Sequence, residues 1–170
     1  YADGFIQPLL YGMCDSLQPA VGYNWGAQKF FQSAGNRKCC FTASGVVSLL
    51  SVFVIALFPE QITSLFVADA GSEILSISVT ALRLFGLTYI TRWFSFAGQS
   101  FMLAIEKPLP ASVISVSTAL IFPLVLIGAL WPLGLTGIWL NFPGTSVLAA
   151  VLALIILKKL SREWKRQDAE

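Results

Sequence analysis

Apolar residues in this chain occur in long runs that are separated by short polar segments. A helix that crosses about 30 Å of hydrocarbon needs about 20 mostly apolar residues. Five runs approach that length, at residues 5–23, 39–58, 82–105, 111–130 and 138–157. The pattern predicts an all-α fold: a polytopic bundle of five transmembrane helices over residues 1–157 and a basic tail over residues 158–170.

The composition supports a membrane protein. Of the 170 residues, 56% are hydrophobic and 12% are charged, whereas soluble domains have about a quarter of their residues charged. The formal net charge of +2 is too small to indicate a nucleic-acid partner. We therefore expect the lipid bilayer and a small-molecule substrate as partners, and no nucleic acid.

The basic residues predict an orientation, because Lys and Arg accumulate in cytoplasmic loops. Lys29, Arg37 and Lys38 follow the first run, Lys107 follows the third, and five basic residues lie in the tail. The opposite loops, FPEQITSLFVADAGSE and WPLGLTG, contain no Lys or Arg. We expect a multi-pass protein of the plasma membrane with a cytoplasmic C-terminus.

The chemistry that enzymes and metal proteins use is missing from the sequence. The chain has no histidine, and its cysteines, Cys14, Cys39 and Cys40, lack the spacing of metal ligands. It has no GxSxG motif and no phosphate-binding glycine loop. We expect no enzyme activity, no metal site and no cofactor.

Two charged residues fall inside the apolar runs. Counted inward from residues 5 and 82, Asp15 and Arg92 lie at similar depth, near the middle of the bilayer. A charge at the centre of a helix costs about 2.5 to 3.5 kcal/mol on insertion scales, so both should face the bundle interior. One hypothesis pairs the two residues directly or through water, with Gln99 two turns below Arg92. The other places Arg92 in a water-filled cavity without Asp15.

Aromatic residues accompany Arg92 in the third run. Five aromatic side chains of this run could offer their ring faces to flat cationic substrates in a pocket: Phe85, Tyr89, Trp93, Phe94 and Phe96. The alternative is that such rings pack against neighbouring helices.

Prolines, glycines and side-chain amides interrupt the runs and are candidates for hinges, because freed backbone groups at membrane depth are tolerated where protein or a cavity satisfies them. These residues are Gln18, Pro19, Gly22, Asn24, Pro123 and Pro143. The alternative for the first run is that Gly22 and Gly26 only end its helix.

Three segments resemble a known family. QPAVGYNWGA, at residues 18–27, is similar to the QPxxGYNxGA motif that closes the eighth helix of MATE (multidrug and toxic compound extrusion) exporters. AGQSFMLAIEKPLPASVIS resembles the end of the tenth helix and the loop after it, and FPLVLIGALWPLGLTGIWLNFP resembles the eleventh and twelfth helices. The five runs would then correspond to helices eight to twelve.

The resemblance implies a twelve-helix transporter of two lobes, of which this chain is the C-terminal part and the missing N-terminal lobe its partner. Its implied activity is secondary active antiport, which exports organic cations, drugs or metabolites in exchange for sodium ions or protons.

The chain departs from the family pattern in two places. Ser146 stands where many members have an acidic residue, and Arg92 is the second departure. The tenth helix also has no Asp or Glu before Glu106. These departures leave the coupling ion open. The alternative function is a lipid-linked oligosaccharide flippase of a related exporter superfamily, although Arg92 is the one basic residue at depth that could meet a pyrophosphate.

Overall fold

Backbone hydrogen bonds inside helices account for the regular structure of this chain. The computed structural model describes residues 2–16, 18–27, 30–66 and 72–167, and within these ranges it contains helices and no strand. The predicted all-α fold is therefore confirmed. The helices are α1 (Ala2–Ser16), α2 (Gln18–Gly26), α3 (Phe30–Leu57), α4 (Pro59–Phe66), α5 (Ser72–Gly86), α6 (Tyr89–Ala104), α7 (Pro108–Val116), α8 (Phe122–Leu130) and α9 (Gly134–Gln167).

Within the described residues, one helical run is long and apolar enough to cross a membrane, or up to three if each of two bent pairs is one span. The single run is Pro108–Arg162. The first pair bends by 87° between Leu57 and Pro59, and the second bends by 45° between Gly86 and Tyr89. The number of membrane crossings stays a prediction, and the first predicted span falls on α1 and α2, on either side of residue 17, which lies outside the described residues.

The long run Pro108–Arg162 folds back on itself as a hairpin. A Cβ at Gly144 would lie 3.0 Å from a Leu126 methyl carbon, whereas a straight helix would hold these residues about 27 Å apart. The turn consists of a short 3₁₀ helix, Trp131–Leu133, followed by Gly134 at φ 56°. The run therefore has two antiparallel arms, as the fourth and fifth apolar runs predict.

Helix boundaries differ from the limits of the apolar runs. α3 begins at Phe30 rather than at residue 39, α5 begins at Ser72 rather than at residue 82, and α9 continues into the basic tail as far as Gln167. Hydropathy marks only the segment that lipid can surround, while a helix continues wherever its backbone hydrogen bonds form. Polar residues at helix ends therefore remain helical.

Small residues bring the central helix α6 close to α9. Ala97, Ala149 and Ala153 are fully buried, and a Cβ at Gly98 would lie 3.6 Å from the Ala153 side chain. Without large side chains between them, two helices in a membrane can pack backbone to backbone. α6 also packs against α1, α2, α3 and α7, so it forms the axis on which the site is built.

Candidate functional site

A cavity of about 440 Å³ lies among α1, α6, the α7–α8 arm and α9. This volume is in the range of pockets that hold small molecules. The lining residues are Gln7, Tyr11, Thr88, Arg92, Ser95, Phe96, Gln99, Ile114, Ser115, Thr118, Ala119, Pro123, Asn141, Phe142, Thr145, Ser146 and Ala149.

Three polar residues of α6 and Thr88, which directly precedes this helix, form one stripe of the cavity wall. Residues 88, 92, 95 and 99 are spaced by four, three and four positions, which places their side chains on a single helix face. Thr88, Arg92, Ser95 and Gln99 all line the cavity. This polar stripe is defined by these four side chains.

Arg92 is held at the cavity by two helices. Its Nη2 donates a hydrogen bond to Gln7 Oε1 at 3.1 Å, and its Cζ lies 5.4 Å from the centre of the Phe96 ring. The Phe96 ring stacks in turn on Tyr11, with 4.1 Å between the ring centres. α1 and α6 therefore fix the guanidinium, whose charge interacts with the π face of Phe96.

Two hydroxyls of the polar stripe have unused hydrogen-bonding capacity. Thr88 is 1% exposed and Ser95 is 2% exposed, and neither hydroxyl has a partner in the part of the chain that the structure describes. Elsewhere Thr63, Thr80 and Thr118 donate to the carbonyl four residues earlier in their helices. A buried hydroxyl without a partner costs about 1–3 kcal/mol, so water or a ligand is expected at this stripe.

The opposite wall of the cavity, on α9, is polar but largely satisfied. Ser146 donates to the Pro143 carbonyl at 2.9 Å and shares a hydrogen bond of 3.0 Å with Thr91 of α6. Thr145 donates to the Asn141 side chain at 3.4 Å. α9 therefore contributes polar side chains to the cavity wall and is connected to α6 by a hydrogen bond. The two hydroxyls without a described partner belong to the polar stripe.

A widened helical turn forms the third wall. Residues Ser117–Ile121 are π-helical, and the Phe122 N–H bonds to the Ser117 carbonyl. Pro123 has no N–H, and its ring would clash with the carbonyl of Ala119 in a regular α-helix. The wider turn relieves that clash, and such π-turns are frequent at functional sites.

Asp15 lies outside this cavity wall. Its Oδ1 accepts hydrogen bonds from Ser100 Oγ at 2.7 Å and from Gln18 Nε2 at 2.8 Å. Ser100 is about 12 Å along α6 from Arg92, so the hypothesis that Asp15 pairs directly with Arg92 is wrong. The sequence had placed Asp15 and Arg92 at equal depth by counting from residues 5 and 82. The helical segment that contains the third run begins earlier, at Ser72, and bends by 45° before Tyr89. The position of Arg92 agrees with the other hypothesis, a cavity that excludes Asp15.

Comparison with known proteins adds the family. The MatE family model matches residues 2–127, which include α1 to α7 and the start of α8. The chain belongs to the MatE family. MatE proteins are membrane-embedded efflux transporters and not enzymes. No curated protein and no solved structure matches the chain.

Two of the aromatic residues that were predicted to line a pocket, Tyr89 and Trp93, lie away from the cavity of this MatE chain. Tyr89 is fully buried and packs edge-on against Phe85 at 5.9 Å. Trp93 packs edge-on against Phe41 and Phe94, and its indole N–H donates to a carbonyl of its own helix. The prediction that these two rings line the pocket is therefore corrected. Phe96, another of the predicted aromatic side chains, does line the cavity, together with Tyr11 and Phe142.

The QPAVGYNWGA motif of the MatE chain contains helix α2, and its first residue connects this helix to α1 by a hydrogen bond. Gln18 binds Asp15, and the Asn24 amide donates to the Ala20 carbonyl at 3.0 Å. Pro19 is the second residue of α2, where a missing N–H removes no helical hydrogen bond. These contacts stabilise the helix, and the proposed hinge role of Gln18, Pro19 and Asn24 stays a prediction.

Gly22 has a packing role that the sequence did not reveal. α2 continues past it to Gly26, so Gly22 does not end the helix. A Cβ at Gly22 would lie 3.3 Å from the Ala104 carbonyl oxygen. The glycine therefore lets α2 approach the end of α6 closely.

The two predicted proline hinges have different surroundings. Pro123 lines the cavity beside the π-turn, whereas Pro143 lies inside α9, which stays helical around it. Pro143 offers its carbonyl to Ser146.

The sequence predicted two of the four residues of the polar stripe. Arg92 and Gln99 were found because charge and amide are rare in an apolar run, while Thr88 and Ser95 were missed because hydroxyls are common in membrane helices. Their four-three-four spacing with Arg92 and Gln99 is the signal that could have found them. In the described parts of the chain no three His, Cys, Asp or Glu residues lie close enough to hold a metal ion.

Proposed function

We propose that this MatE chain forms one lobe of a secondary active antiporter that exports organic cations, drugs or metabolites in exchange for sodium ions or protons. The observation that supports it is a cavity of about 440 Å³ with polar side chains in its wall, among otherwise apolar helices. Polar side chains inside a membrane bundle are costly and mark substrate or ion pathways.

The proposed mechanism is alternating access. The cavity would open to one side of the membrane and then to the other as this lobe rocks against an N-terminal lobe. The π-turn at Ser117–Ile121 and Pro123 supply a point where the α7–α8 arm can bend, because the regular hydrogen-bond ladder is already interrupted there. Pro143 is the corresponding candidate in α9.

The coupling ion is proposed to act elsewhere. The described wall of the cavity contains no carboxylate, although a sodium or proton site is expected to use one. We propose that this carboxylate lies in the N-terminal lobe. The protein is proposed to reside in the plasma membrane with its C-terminus in the cytoplasm, as the basic residues predict.

The flippase alternative has less support. A pyrophosphate group would be met by several basic residues, since bidentate and charge-assisted hydrogen bonds dominate its recognition. Among the described lining residues Arg92 is the one basic side chain. The exporter is therefore the proposal that we carry forward.

The test is an efflux assay in cells that express the complete gene product. Cells are loaded with ethidium, and its loss is followed with the ion gradients intact, with a sodium ionophore and with a protonophore. We expect efflux above that of empty-vector cells, and we expect one of the two ionophores to abolish it. Efflux equal to that of the vector over several cationic, neutral and anionic dyes would reject the exporter.

A further inference from the structure

The polar stripe of α6 offers hydrogen-bond donors that the described structure leaves unused. Thr88 Oγ1 and Ser95 Oγ are buried in the cavity wall without partners in the described ranges. A buried hydroxyl that remains unpaired in a native structure calls for a physical reason, and a ligand or water at the site supplies one. Because the two hydroxyls lie two helical turns apart, with Arg92 between them, they frame the guanidinium.

The polar stripe carries a positive charge. Arg92 is the one charged side chain among the described lining residues, and a guanidinium donates hydrogen bonds but accepts none. Asp15, the acidic residue that could have balanced it, accepts hydrogen bonds from Gln18 and from Ser100, and Ser100 is about 12 Å along α6 from Arg92. An organic cation at this stripe would meet like charge, whereas an anionic oxygen would meet donors.

The remainder of the wall is apolar and aromatic. Tyr11, Phe96 and Phe142 lie beside the stripe, with Ile114 and Pro123 across the cavity. These surfaces suit a flat or branched hydrocarbon body, which gains by leaving water. The wall therefore combines a donor-rich end with an apolar end.

We propose that this cavity binds the carboxylate group of an amphipathic organic acid or zwitterion, with Arg92, Ser95 and Thr88 as the donors that recognise it. The inference deepens the proposed function, on which it rests in treating the cavity as the substrate site. It narrows the exported class from organic cations, drugs or metabolites to compounds that carry a carboxylate.

The experiment compares two probes that share a ring and a chain but differ in the head group. Pyrenebutyrate and pyrenebutyltrimethylammonium are titrated into the purified complete protein, and energy transfer from tryptophan to pyrene is measured. An excess of the corresponding phenyl compound, which has the same head group but no pyrene, is then added as a competitor. The energy transfer that is lost on this addition reports specific binding. We expect wild type to bind the carboxylate at least about 10-fold more tightly than the ammonium, because charge-assisted hydrogen bonds form with one head group only.

Variants of the stripe test which residues carry that preference. Arg92→Gln should raise the Kd for pyrenebutyrate by about 10-fold to 100-fold, and Arg92→Lys should keep the preference for the carboxylate. Ser95→Ala and Thr88→Val should each raise it by about 3-fold to 10-fold. Arg92→Gln, Ser95→Ala and Thr88→Val should not weaken binding of the ammonium probe.

Matched controls and a stability readout separate recognition from folding. Arg83→Gln changes an exposed arginine of α5, and Thr80→Val removes a hydroxyl that bonds within its own helix; neither should alter either Kd. Ser95→Ala should leave the unliganded protein at least as thermally stable as wild type, since it removes a group without a described partner. A variant that keeps its stability but loses carboxylate binding has lost recognition.

The outcomes distinguish this inference from the export function. Equal or tighter binding of the ammonium probe, or an unchanged carboxylate Kd in Arg92→Gln, overturns the inference, and ethidium export in the same preparation would leave the export function standing. Binding of pyrenebutyrate that depends on Arg92, with no gradient-driven export of ethidium or pyrenebutyrate, supports the inference and rejects the export function.

Discussion

Asp15 and Arg92 both place a charge in an apolar helix, but their surroundings differ. Asp15 receives short hydrogen bonds from Ser100 and Gln18, so one carboxylate links α1, α2 and α6. Arg92 is fixed by Gln7 and Phe96 beside two buried hydroxyls without described partners. The difference indicates that the Asp15 group holds helices together, whereas the Arg92 group has donors to spare for a ligand.

The largest effect is expected from reversing both charges. Asp15→Lys and Arg92→Glu should each lower the rate of export at least about 10-fold, and the double variant should recover none of it. Asp15 bonds to Ser100, which is about 12 Å along α6 from Arg92, and substitutions at that separation usually act additively. Efflux is measured at equal surface expression, with Arg83→Glu as a control for a charge reversal outside the cavity. Recovery in the double variant would show that the two residues interact directly.

The next effect compares two serines on the same helix. Ser100→Ala removes a donor to the Asp15 carboxylate and should cost about 1 kcal/mol, a reduced value because Asp15 is exposed. This corresponds to a fall of about 2–4 °C in Tm. Ser95→Ala should leave Tm unchanged or raise it, because it removes a buried hydroxyl that has no partner in the described ranges. Thermal unfolding of the purified variants, followed by tryptophan fluorescence, decides; equal losses in both would remove the distinction between the two groups.

Hydropathy was enough to predict the helical class, because a lipid-facing span must satisfy its backbone groups internally. It did not predict the bend between Gly86 and Tyr89, and that bend is why the depths of Asp15 and Arg92 were misjudged. A bend depends on packing between helices that are distant in sequence. Neither residue composition nor run length carries that information.

The site was predictable where a residue is chemically unusual and not where it is ordinary. Arg92 and Gln99 stand out in an apolar run, and both line the cavity. Tyr89 and Trp93 were misplaced because an aromatic side chain in a helix suits a pocket and a packed core equally well, and only the neighbours decide. Ser95 became informative only when its lack of a described partner was seen.

A smaller effect is expected on the cavity side from Pro123. Pro123→Ala supplies the missing N–H, so a regular bond to the Ala119 carbonyl can form and the π-turn can close. The wall would then shift at Thr118, and we expect pyrenebutyrate binding to weaken about 3-fold with Tm unchanged or raised. Pro143→Ala, in the part of α9 that stays helical, is the comparison and should change binding less. A Tm loss in Pro123→Ala without any change in binding would assign the π-turn to stability alone.

The smallest effect is expected at the C-terminal end of α6, near the Asp15 group. Glu106 adopts φ 59° in a Schellman motif, in which the Lys107 N–H bonds to Met102 and the Glu106 N–H to Leu103. A left-handed conformation costs a residue with a Cβ about 1 kcal/mol relative to glycine. Glu106→Gly should therefore raise Tm by about 2–4 °C, while Glu106→Ala, which keeps the Cβ, should not. Neither change should alter the carboxylate Kd, because this turn contributes no side chain to the cavity wall. A changed Kd in Glu106→Gly would mean that the two ends of α6 are coupled and that the two polar groups do not act separately.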